Sequence, residues 1–205
     1  MFVSESASAA GRRTKLTIRA ALVVANLAII GVFLHQLPAP TFPVVSTGDT
    51  RHGGLGKADG AVPEGVKVFD EEIPAVVNLD PELLGALRKA ATDAADDGVE
   101  LFVNSGWRSP AYQEQLLREA VSEYGSTKEA ARWVATPDTS PHVSGHAIDI
   151  GRSDATAWLS EHGAEYGLCQ IYDNEQWHYE LRPEAVEHGC PPRYADPTHD
   201  PRTHQ

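Results

Sequence analysis

The stretch Ser140–Ile150 reads SPHVSGHAIDI and places two histidines and an aspartate around a single glycine. Gly145 interrupts any helix here, so His142 and His146 cannot form the i, i+4 pair of an HExxH metallopeptidase, whose glutamate is also absent. The pattern instead predicts a loop that leads into a strand. Side chains alternate along a strand, so Asp149 projects to the face opposite His146. His142, on the loop, can fold back beside Asp149, and together they offer one nitrogen and one oxygen ligand to a metal ion.

A third ligand is needed, because a catalytic zinc site typically takes three protein ligands and keeps one position for water. The stretch NEQWHYE, residues 174–180, supplies the candidate. His178 lies in a strand-like run, with Glu175 three residues earlier and Trp177 beside it as an apolar wall. A carboxylate at the position of Glu175 can accept a proton from a metal-activated water and pass it to a leaving amine, without being a ligand itself. Ala147 leaves space beside these groups for an ion or a water.

The sequence around these two stretches predicts an α+β domain in which a small antiparallel sheet, flanked by helices, carries the metal site. Asp80 as N-cap, Pro81 at the first helical position and Gly98 just past the end delimit the most regular helix. An alternating, β-branched run then forms a strand that delivers GWRS, residues 106–109, at its end. Helices are predicted over residues 81–97, 110–124, 127–135 and 154–167, and strands over residues 99–106, 146–151, 168–172 and 176–181.

Length and charge limit the classes of function. The chain has 205 residues and a formal net charge of -12. The length allows one main domain with a single substantial core. Acidic residues are spread through the second half, while the only cluster of basic residues lies near the N-terminus. This distribution argues against nucleic acid or another anionic surface as a partner.

The basic residues near the N-terminus precede an uncharged apolar run, AALVVANLAIIGVFL, at residues 20–34. A helix over residues 16–37 would rise about 33 Å and span a bilayer core. We therefore expect a single-pass signal anchor in the cell membrane, with residues 1–15 in the cytoplasm and the rest extracytoplasmic. A cleaved signal peptide is the alternative, although prolines crowd any cleavage site, and a buried helix of a cytosolic domain is another. The remaining divisions are a Pro/Gly-rich linker over residues 38–65, the folded domain over 66–192 and an irregular C-terminal tail over 193–205.

The two cysteines, Cys169 and Cys190, lie in the part of the chain that would face an oxidising space. An even pair in that setting predicts a disulfide, with two unrelated buried thiols as the alternative. Such a bond would stabilise the fold by about 3 kcal/mol on the loop-closure estimate. Neither cysteine has a partner at CxxC spacing, so sulfur ligands to a metal are not expected.

Three separate blocks of the sequence resemble the VanY-like zinc D-alanyl-D-alanine carboxypeptidases. SPHVSGHAID fits the pattern SxHxxGxAxD, and SGWRS followed by Gln113 fits SGYRSxxxQ. EQWH fits the block in which a glutamate lies three residues before the histidine of a WH pair. The blocks fall within residues 99–181 and leave out the predicted anchor, linker and tail. Trp107 departs from the tyrosine of the pattern, so the shape of the substrate subsites is expected to differ.

The resemblance implies a substrate and a set of roles. The substrate would be a peptidoglycan stem peptide that ends in D-Ala-D-Ala, and residues 66–192 would form the zinc peptidase domain. The implied roles are Zn²⁺ binding by His142, Asp149 and His178, general base and acid catalysis by Glu175, oxyanion stabilisation by Arg108, and substrate placement by Gln113, Ser140 and Trp177.

Other functions stay open on the sequence alone. An endopeptidase of the same zinc class, which cuts crosslinks between stem peptides, differs only in subsite width. A non-catalytic peptidoglycan-binding module with a structural zinc would tend to have a fourth protein ligand and no base, so Glu175 and Arg108 argue against it. A soluble α+β domain without metal is a third alternative. His146 is predicted not to be a ligand, because it faces away from Asp149.

Overall fold

A four-stranded antiparallel sheet with strand order β1-β2-β4-β3 lies at the centre of the computed structural model, which describes residues 55–204. The predicted α+β class, with a small antiparallel sheet flanked by helices, is confirmed. The strands are β1 (Phe102–Ser105), β2 (Ala147–Gly151), β3 (Leu168–Gln170) and β4 (His178–Leu181). The α-helices are α1 (Pro74–Val77), α2 (Pro81–Asp96), α3 (Pro110–Tyr124), α4 (Thr127–Ala130), α5 (Ser153–His162) and α6 (Ala185–His188). Short 3-10 turns span Lys57–Asp59, Gly163–Tyr166, Pro197–His199 and Pro201–His204.

Several predictions concern the N-terminal part of the chain, before residue 55. The predicted cytoplasmic segment 1–15, the anchor 16–37 and most of the linker 38–65 lie outside the described residues. Between residues 55 and 204, no helix is both long enough and apolar enough to cross a membrane.

The end of the predicted linker packs on the folded domain. The Ser109 backbone N–H donates to the carbonyl oxygen of Asp59 at 2.8 Å, and the Ser109 hydroxyl donates to the Asp59 carboxylate at 3.1 Å. The same hydroxyl accepts from the Tyr112 backbone N–H at 3.1 Å and so caps α3. The beginning of α3, which follows Arg108, is thereby attached to the first described turn.

Helix α2 covers one face of the sheet and begins at the predicted cap. The Asp80 carboxylate accepts hydrogen bonds from the backbone N–H groups of Glu82 and Leu83 at 2.9 and 3.1 Å, and Pro81 occupies the first turn. Helix α5 packs beside α2 against the same sheet. The side chains that α2 buries in this core are Leu83, Leu87, Ala90, Ala91 and Ala94.

Strand β2 separates the hydrophobic core from a polar face. All five of its residues are buried. Ile148 and Ile150 belong to the core under α2 and α5. Asp149 projects to the opposite face, where strand pairing places it directly across from His178 of β4. The sheet therefore collects polar groups on the side away from the core.

Five predicted elements are shorter in the structure by two or more residues, namely β1, β3, β4, α4 and α5. Helix α5 gives way to a 3-10 turn at Gly163, where a Cβ would lie 2.5 Å from the carbonyl oxygen of Leu168. Just after β3, the carbonyl oxygen of Ile171 accepts a hydrogen bond from the Tyr194 N–H at 2.9 Å. Helices α1 and α6 have four residues each and were not predicted, because a single turn is too short to show a period.

The predicted disulfide between Cys169 and Cys190 is confirmed, and it joins β3 to the segment that follows α6. Residues 193–204 were predicted to be irregular but contain two 3-10 turns. They also contain two buried carboxylates, since Asp196 and Asp200 are 1% and 0% exposed. Buried carboxylates need hydrogen-bond partners, so this segment is packed against the domain.

Gly106 and Gly145 lie where two backbone segments approach each other closely. A Cβ at Gly106 would lie 2.1 Å from the carbonyl oxygen of Ala75, the same oxygen that accepts from the Trp107 N–H at 2.9 Å. Gly145 has φ 77°, and a Cβ there would lie 2.7 Å from the carbonyl oxygen of Asn78. Only glycine fits either position, and Gly145 lies in the loop that was predicted before β2.

We expect Gly106→Ala to lower the free energy of unfolding by about 3 kcal/mol, because the new methyl group forces two backbone segments apart. Gly85→Ala is the matched control, since nothing lies within 4 Å of a Cβ at this position in α2. The control is expected to raise stability by about 0.5–1 kcal/mol through better helix propensity. Urea denaturation of the metal-free variants measures the difference. Equal stability of the two variants would contradict the close approach.

Candidate active site

The three predicted metal ligands converge on the polar face of the sheet. His142 Nε2 lies 3.4 Å from Asp149 Oδ1 and 3.3 Å from His178 Nδ1. Asp149 Oδ1 and His178 Nδ1 are 3.2 Å apart. All three residues are buried. Asp149 lies in β2, His178 begins β4, and His142 lies on the loop before β2. Within residues 55–204, this is the group of His, Cys, Asp and Glu side chains that has the geometry to hold a metal ion.

Each histidine is oriented by a contact on the ring nitrogen that faces away from the group. His142 Nδ1 lies 2.9 Å from the carbonyl oxygen of Gly106, which can only accept a hydrogen bond. His178 Nε2 lies 3.2 Å from Oε1 of Glu180. Protons on these two nitrogens leave His142 Nε2 and His178 Nδ1 with lone pairs directed at one point, as metal ligands require.

The charge states of the ligands follow from their surroundings. Burial opposes the ionisation of Asp149, but the charge of His142, the hydrogen bonds of His142 and His178 and the charge of Arg108 hold its pKa well below the usual range. Burial, together with the charge of Arg108, lowers the pKa of His142. Burial opposes the charge on His178, but its hydrogen bonds with Asp149 and Glu180 raise its pKa to about 10. An ionised aspartate and neutral imidazoles are the forms that bind a metal, so metal binding releases a proton from His178.

Arg108 is held by three polar side chains. Its Nη2 donates to Asp149 Oδ2 at 3.0 Å, its Nη1 to Gln113 Oε1 at 3.0 Å and its Nε to Ser105 Oγ at 2.8 Å. Gln113 is buried and donates through Nε2 to the carbonyl oxygen of Ala135 at 2.8 Å. Both ends of the Gln113 amide therefore contact protein, and this residue lies behind Arg108. Its predicted contact with substrate stays a prediction.

Glu175 lies in the turn before β4, beside the three ligands. Its Oε2 is 3.8 Å from His178 Nδ1, and its Oε1 is buried with no hydrogen-bond partner among the described residues. Burial raises the pKa of Glu175 to about 7, against the lowering effect of the charge on His178. A carboxyl group with a pKa in this range can accept and return a proton near neutral pH.

The other predicted substrate residues are Ser140 and Trp177. Ser140 is buried, and its Oγ has no hydrogen-bond partner in the part of the chain that the structure describes. Trp177 is half-buried, and its carbonyl oxygen accepts from the Ile150 N–H at 2.9 Å, which extends the pairing of β2 and β4. Ser140 thus resembles Glu175 in presenting a buried oxygen that lacks a protein partner. The substrate roles of Ser140 and Trp177 stay predictions.

Glu180 is a buried residue of the site for which no role was predicted. This residue is 1% exposed and lies two positions after His178, so both project from the same face of β4. The i, i+2 spacing was the signal that identifies it. Its cross-strand neighbour is Ala147, so the Glu180 carboxylate borders the space that this small side chain leaves. Arg202 also contacts Glu180 and gave no signal, because it lies in another part of the chain.

The residues present fit a zinc ion. Two imidazoles and one carboxylate form a ligand set of catalytic zinc sites, in which a further position is open. The contacts on the outer ring nitrogens of His142 and His178 supply the orienting shell that such ligands require. Glu175 places a buried, unpartnered oxygen next to the ligand set. His146 is exposed, 3.9 Å from the Asp80 carboxylate, and lies outside the group.

In the metal-free protein, Glu175→Gln should change how stability depends on pH. The pKa of Glu175 is raised from its ordinary 4.5 to about 7, so between these values the folded protein holds a proton that the unfolded chain releases. The stability that protonated Glu175 provides relative to the ionised form is present below pH 4.5 and is lost as the pH rises through about 7. The stability of wild type relative to the variant is therefore expected to fall by on the order of 2 kcal/mol from pH 5 to pH 8.

Urea unfolding with a chelator present measures this dependence, and Glu161→Gln on the exposed side of α5 is the matched control. A difference between wild type and Glu175→Gln that stays constant across this pH range would contradict the burial effect.

Comparison with known proteins gives consistent matches. The sequence model of the family described as VanY, D-alanyl-D-alanine carboxypeptidase, matches residues 76–184. A D-alanyl-D-alanine carboxypeptidase of Enterococcus faecalis (strain ATCC 700802 / V583) is 31% identical over 139 residues, which cover 54% of this chain and 52% of that protein. The chain thus spans about half the length of this curated relative.

Two solved structures resemble the fold. VanYB in complex with D-alanine-D-alanine has a TM-score of 0.50 and 28% identity, over 54% of this chain and 74% of that chain. The LdcB LD-carboxypeptidase has a TM-score of 0.50 and 25% identity, over 65% of this chain and 73% of that chain. Because the family match covers more than half of the sequence and includes every predicted site residue, the chain belongs to the VanY D-alanyl-D-alanine carboxypeptidase family.

Proposed function

We propose that this chain is a zinc carboxypeptidase that removes the terminal D-alanine from peptidoglycan stem peptides ending in D-Ala-D-Ala. The observation that carries the proposal is the convergence of His142, Asp149 and His178 at one point, with Glu175 beside the group but outside it. Membership of the family supports the reaction class. A structural zinc site tends to be closed by a fourth protein ligand, and the described residues at this group supply three.

The proposed mechanism divides the chemistry among four kinds of side chain. Zinc held by His142, Asp149 and His178 would supply a Lewis acid that polarises the scissile carbonyl and lowers the pKa of water. Glu175 accepts the proton of the attacking water and returns it to the amine nitrogen that leaves when the peptide C–N bond breaks. The contacts of Arg108 with protein use three of the five N–H groups of a guanidinium. Those that remain can stabilise the negative charge that develops on the carbonyl oxygen.

The related structures suggest two candidates for the terminal peptide bond that this chain cleaves. VanYB was solved with D-alanine-D-alanine, and the family and the curated relative carry the D,D description, so a D,D-carboxypeptidase is the first candidate. LdcB is an LD-carboxypeptidase, and its match covers the larger share of this chain, which supports an L,D-carboxypeptidase as the second. An endopeptidase that cuts crosslinks would use the same residues and differ in the width of the substrate cleft.

We also propose that residues 16–37 anchor the protein in the cell membrane with the catalytic domain on the extracytoplasmic side. The apolar run with basic residues on its N-terminal side supports this orientation, and the disulfide suits an oxidising compartment. Protease added to intact spheroplasts is then expected to digest the domain while leaving cytoplasmic markers whole. Protection of the domain until the membrane is lysed would contradict the orientation.

The activity can be tested with synthetic stem peptides. Purified protein is expected to release D-alanine from a stem pentapeptide that ends in D-Ala-D-Ala, and a chelator should stop the release until zinc is restored. A stem tetrapeptide, whose terminal D-alanine follows an L-centre, is assayed in parallel. Release from the tetrapeptide alone would replace the D,D assignment by the L,D assignment. No release from either peptide by zinc-loaded protein would overturn the proposal.

Three variants separate metal binding from proton transfer. Glu175→Gln should retain zinc and lower kcat by about 10²- to 10⁴-fold, the usual contribution of a general base. His178→Ala should lose both zinc and activity, because it removes a ligand. His146→Ala is the matched control, since this exposed histidine lies outside the group, and it should retain both. Zinc content is measured by elemental analysis alongside D-alanine release, and full activity of Glu175→Gln would rule it out as the base.

A further inference from the structure

The C-terminal segment, residues 193–204, reaches the back of the metal group. Arg202 Nη1 donates to Glu180 Oε2 at 2.6 Å, and Arg202 Nη2 donates to Glu180 Oε1 at 3.3 Å. Oε1 of Glu180 is also the oxygen that lies 3.2 Å from His178 Nε2. Two successive contacts therefore connect Arg202 to a predicted zinc ligand.

Glu180 needs cationic partners because it is buried. An ionised carboxylate in the protein interior costs several kcal/mol unless it is paired and hydrogen-bonded. Arg182 donates to Oε2 at 2.8 Å, whereas Arg202 contacts both oxygens, including the one that faces His178. Two guanidinium groups therefore lie against this one buried carboxylate and balance its charge. Glu180 is thus a charged acceptor for His178.

Arg202 is itself fixed from the other side. The Asp200 carboxylate, fully buried, accepts from Arg202 Nε at 2.9 and 3.0 Å and also contacts Nη2. The Tyr172 hydroxyl donates to Asp200 at 3.0 Å, and the Tyr172 ring lies 5.1 Å from the ring of His178. The guanidinium is therefore held between two buried carboxylates next to the metal group.

The disulfide attaches this segment close to Glu180. Cys169 is the cross-strand neighbour of Glu180, and its bond to Cys190 holds the chain that leads to Arg202. Further along, the Tyr194 backbone pairs with the strand end after β3, through bonds at 2.9 Å to Ile171 and Asp173. These attachments bring residues 196–204 onto the polar side of β3 and β4.

We propose that Arg202 is a positioning residue of the zinc site, which acts through Glu180 to hold His178 with Nδ1 directed at the metal. The inference rests on the zinc site proposed as the basis of function. Removal of the Arg202 guanidinium leaves Arg182 as the arginine that contacts the buried Glu180 carboxylate. The carboxylate is then expected to rotate toward Arg182. His178 then loses the acceptor that fixes its ring.

The test is the zinc dissociation constant of the full-length protein, measured by competition with a chromogenic chelator. Arg202→Met keeps the side chain long and apolar and removes its donors. It should raise the Kd by about 10-fold, the lower end of the effect of losing a direct partner of a metal-bound histidine, because Arg202 acts through Glu180. Arg193→Met in the same segment is the matched control, because Arg193 bonds to Asp173 and Gln170 away from Glu180. It should leave the Kd unchanged.

A second measurement separates positioning from folding. The Tm of each metal-free variant is recorded, since a merely structural role would lower the Tm and leave the zinc Kd of the folded protein at the wild-type value. In a Glu180→Gln background, Arg202→Met should raise the Kd no further, because Arg202 acts through Glu180. Where Arg202→Met does not fold, Arg202→Gln, which keeps an N–H donor without the charge, takes its place with the same expected result.

The outcomes distinguish the two proposals. If the wild-type protein binds zinc and Arg202→Met leaves the zinc Kd unchanged, the positioning role is overturned and the proposed function stays intact. The same conclusion follows if the effects of Arg202→Met and Glu180→Gln on the Kd are additive. Wild-type protein that does not bind zinc would overturn the proposed function itself.

Discussion

The antiparallel register between β2 and β4 is the constraint on which the site depends. It pairs Asp149 with His178 and, one position along, Ile148 with Tyr179. The second pair is fully buried in the core, so a slip of one residue would move Ile148 or Tyr179 to the polar face and a charged ligand into the core. The hydrophobic core thus enforces the geometry of the metal group. Catalytic geometry and fold stability are set here by the same strand pairing.

Local pattern identified the candidate ligands, and the family resemblance combined them into one predicted set. The helix-breaking Gly145 and the alternation after it placed Asp149, and Glu175 lies three positions before His178. The side chains that support the ligands could not be predicted in the same way. The bond from Arg108 to Asp149 and the position of Gln113 behind Arg108 depend on how β1, α3 and β2 pack, which no window of sequence contains.

The C-terminal segment shows a second limit of sequence patterns. Its prolines and its lack of periodicity correctly exclude a long helix or strand, but they say nothing about packing. The segment is ordered by specific polar contacts, such as the bond from Arg132 to Asp196 at 2.9 Å and that from Tyr172 to Asp200 at 3.0 Å. Each partner lies far away along the chain, so these contacts leave no local trace in the sequence. Irregular secondary structure and tight packing are compatible when buried charges find fixed partners.

The two histidines predicted as metal ligands are oriented by different contacts. His142 rests on the carbonyl oxygen of Gly106, a neutral acceptor whose position is fixed by the close approach of Ala75. His178 contacts the Glu180 carboxylate through Nε2. The carboxylate makes the imidazole a more basic metal ligand, but it adds a buried negative charge that must be balanced. The first ligand therefore depends on backbone packing, and the second depends on the cations around Glu180. Because the C-terminal segment supplies one of those cations, it belongs structurally to the metal group, although nothing in its composition indicates this.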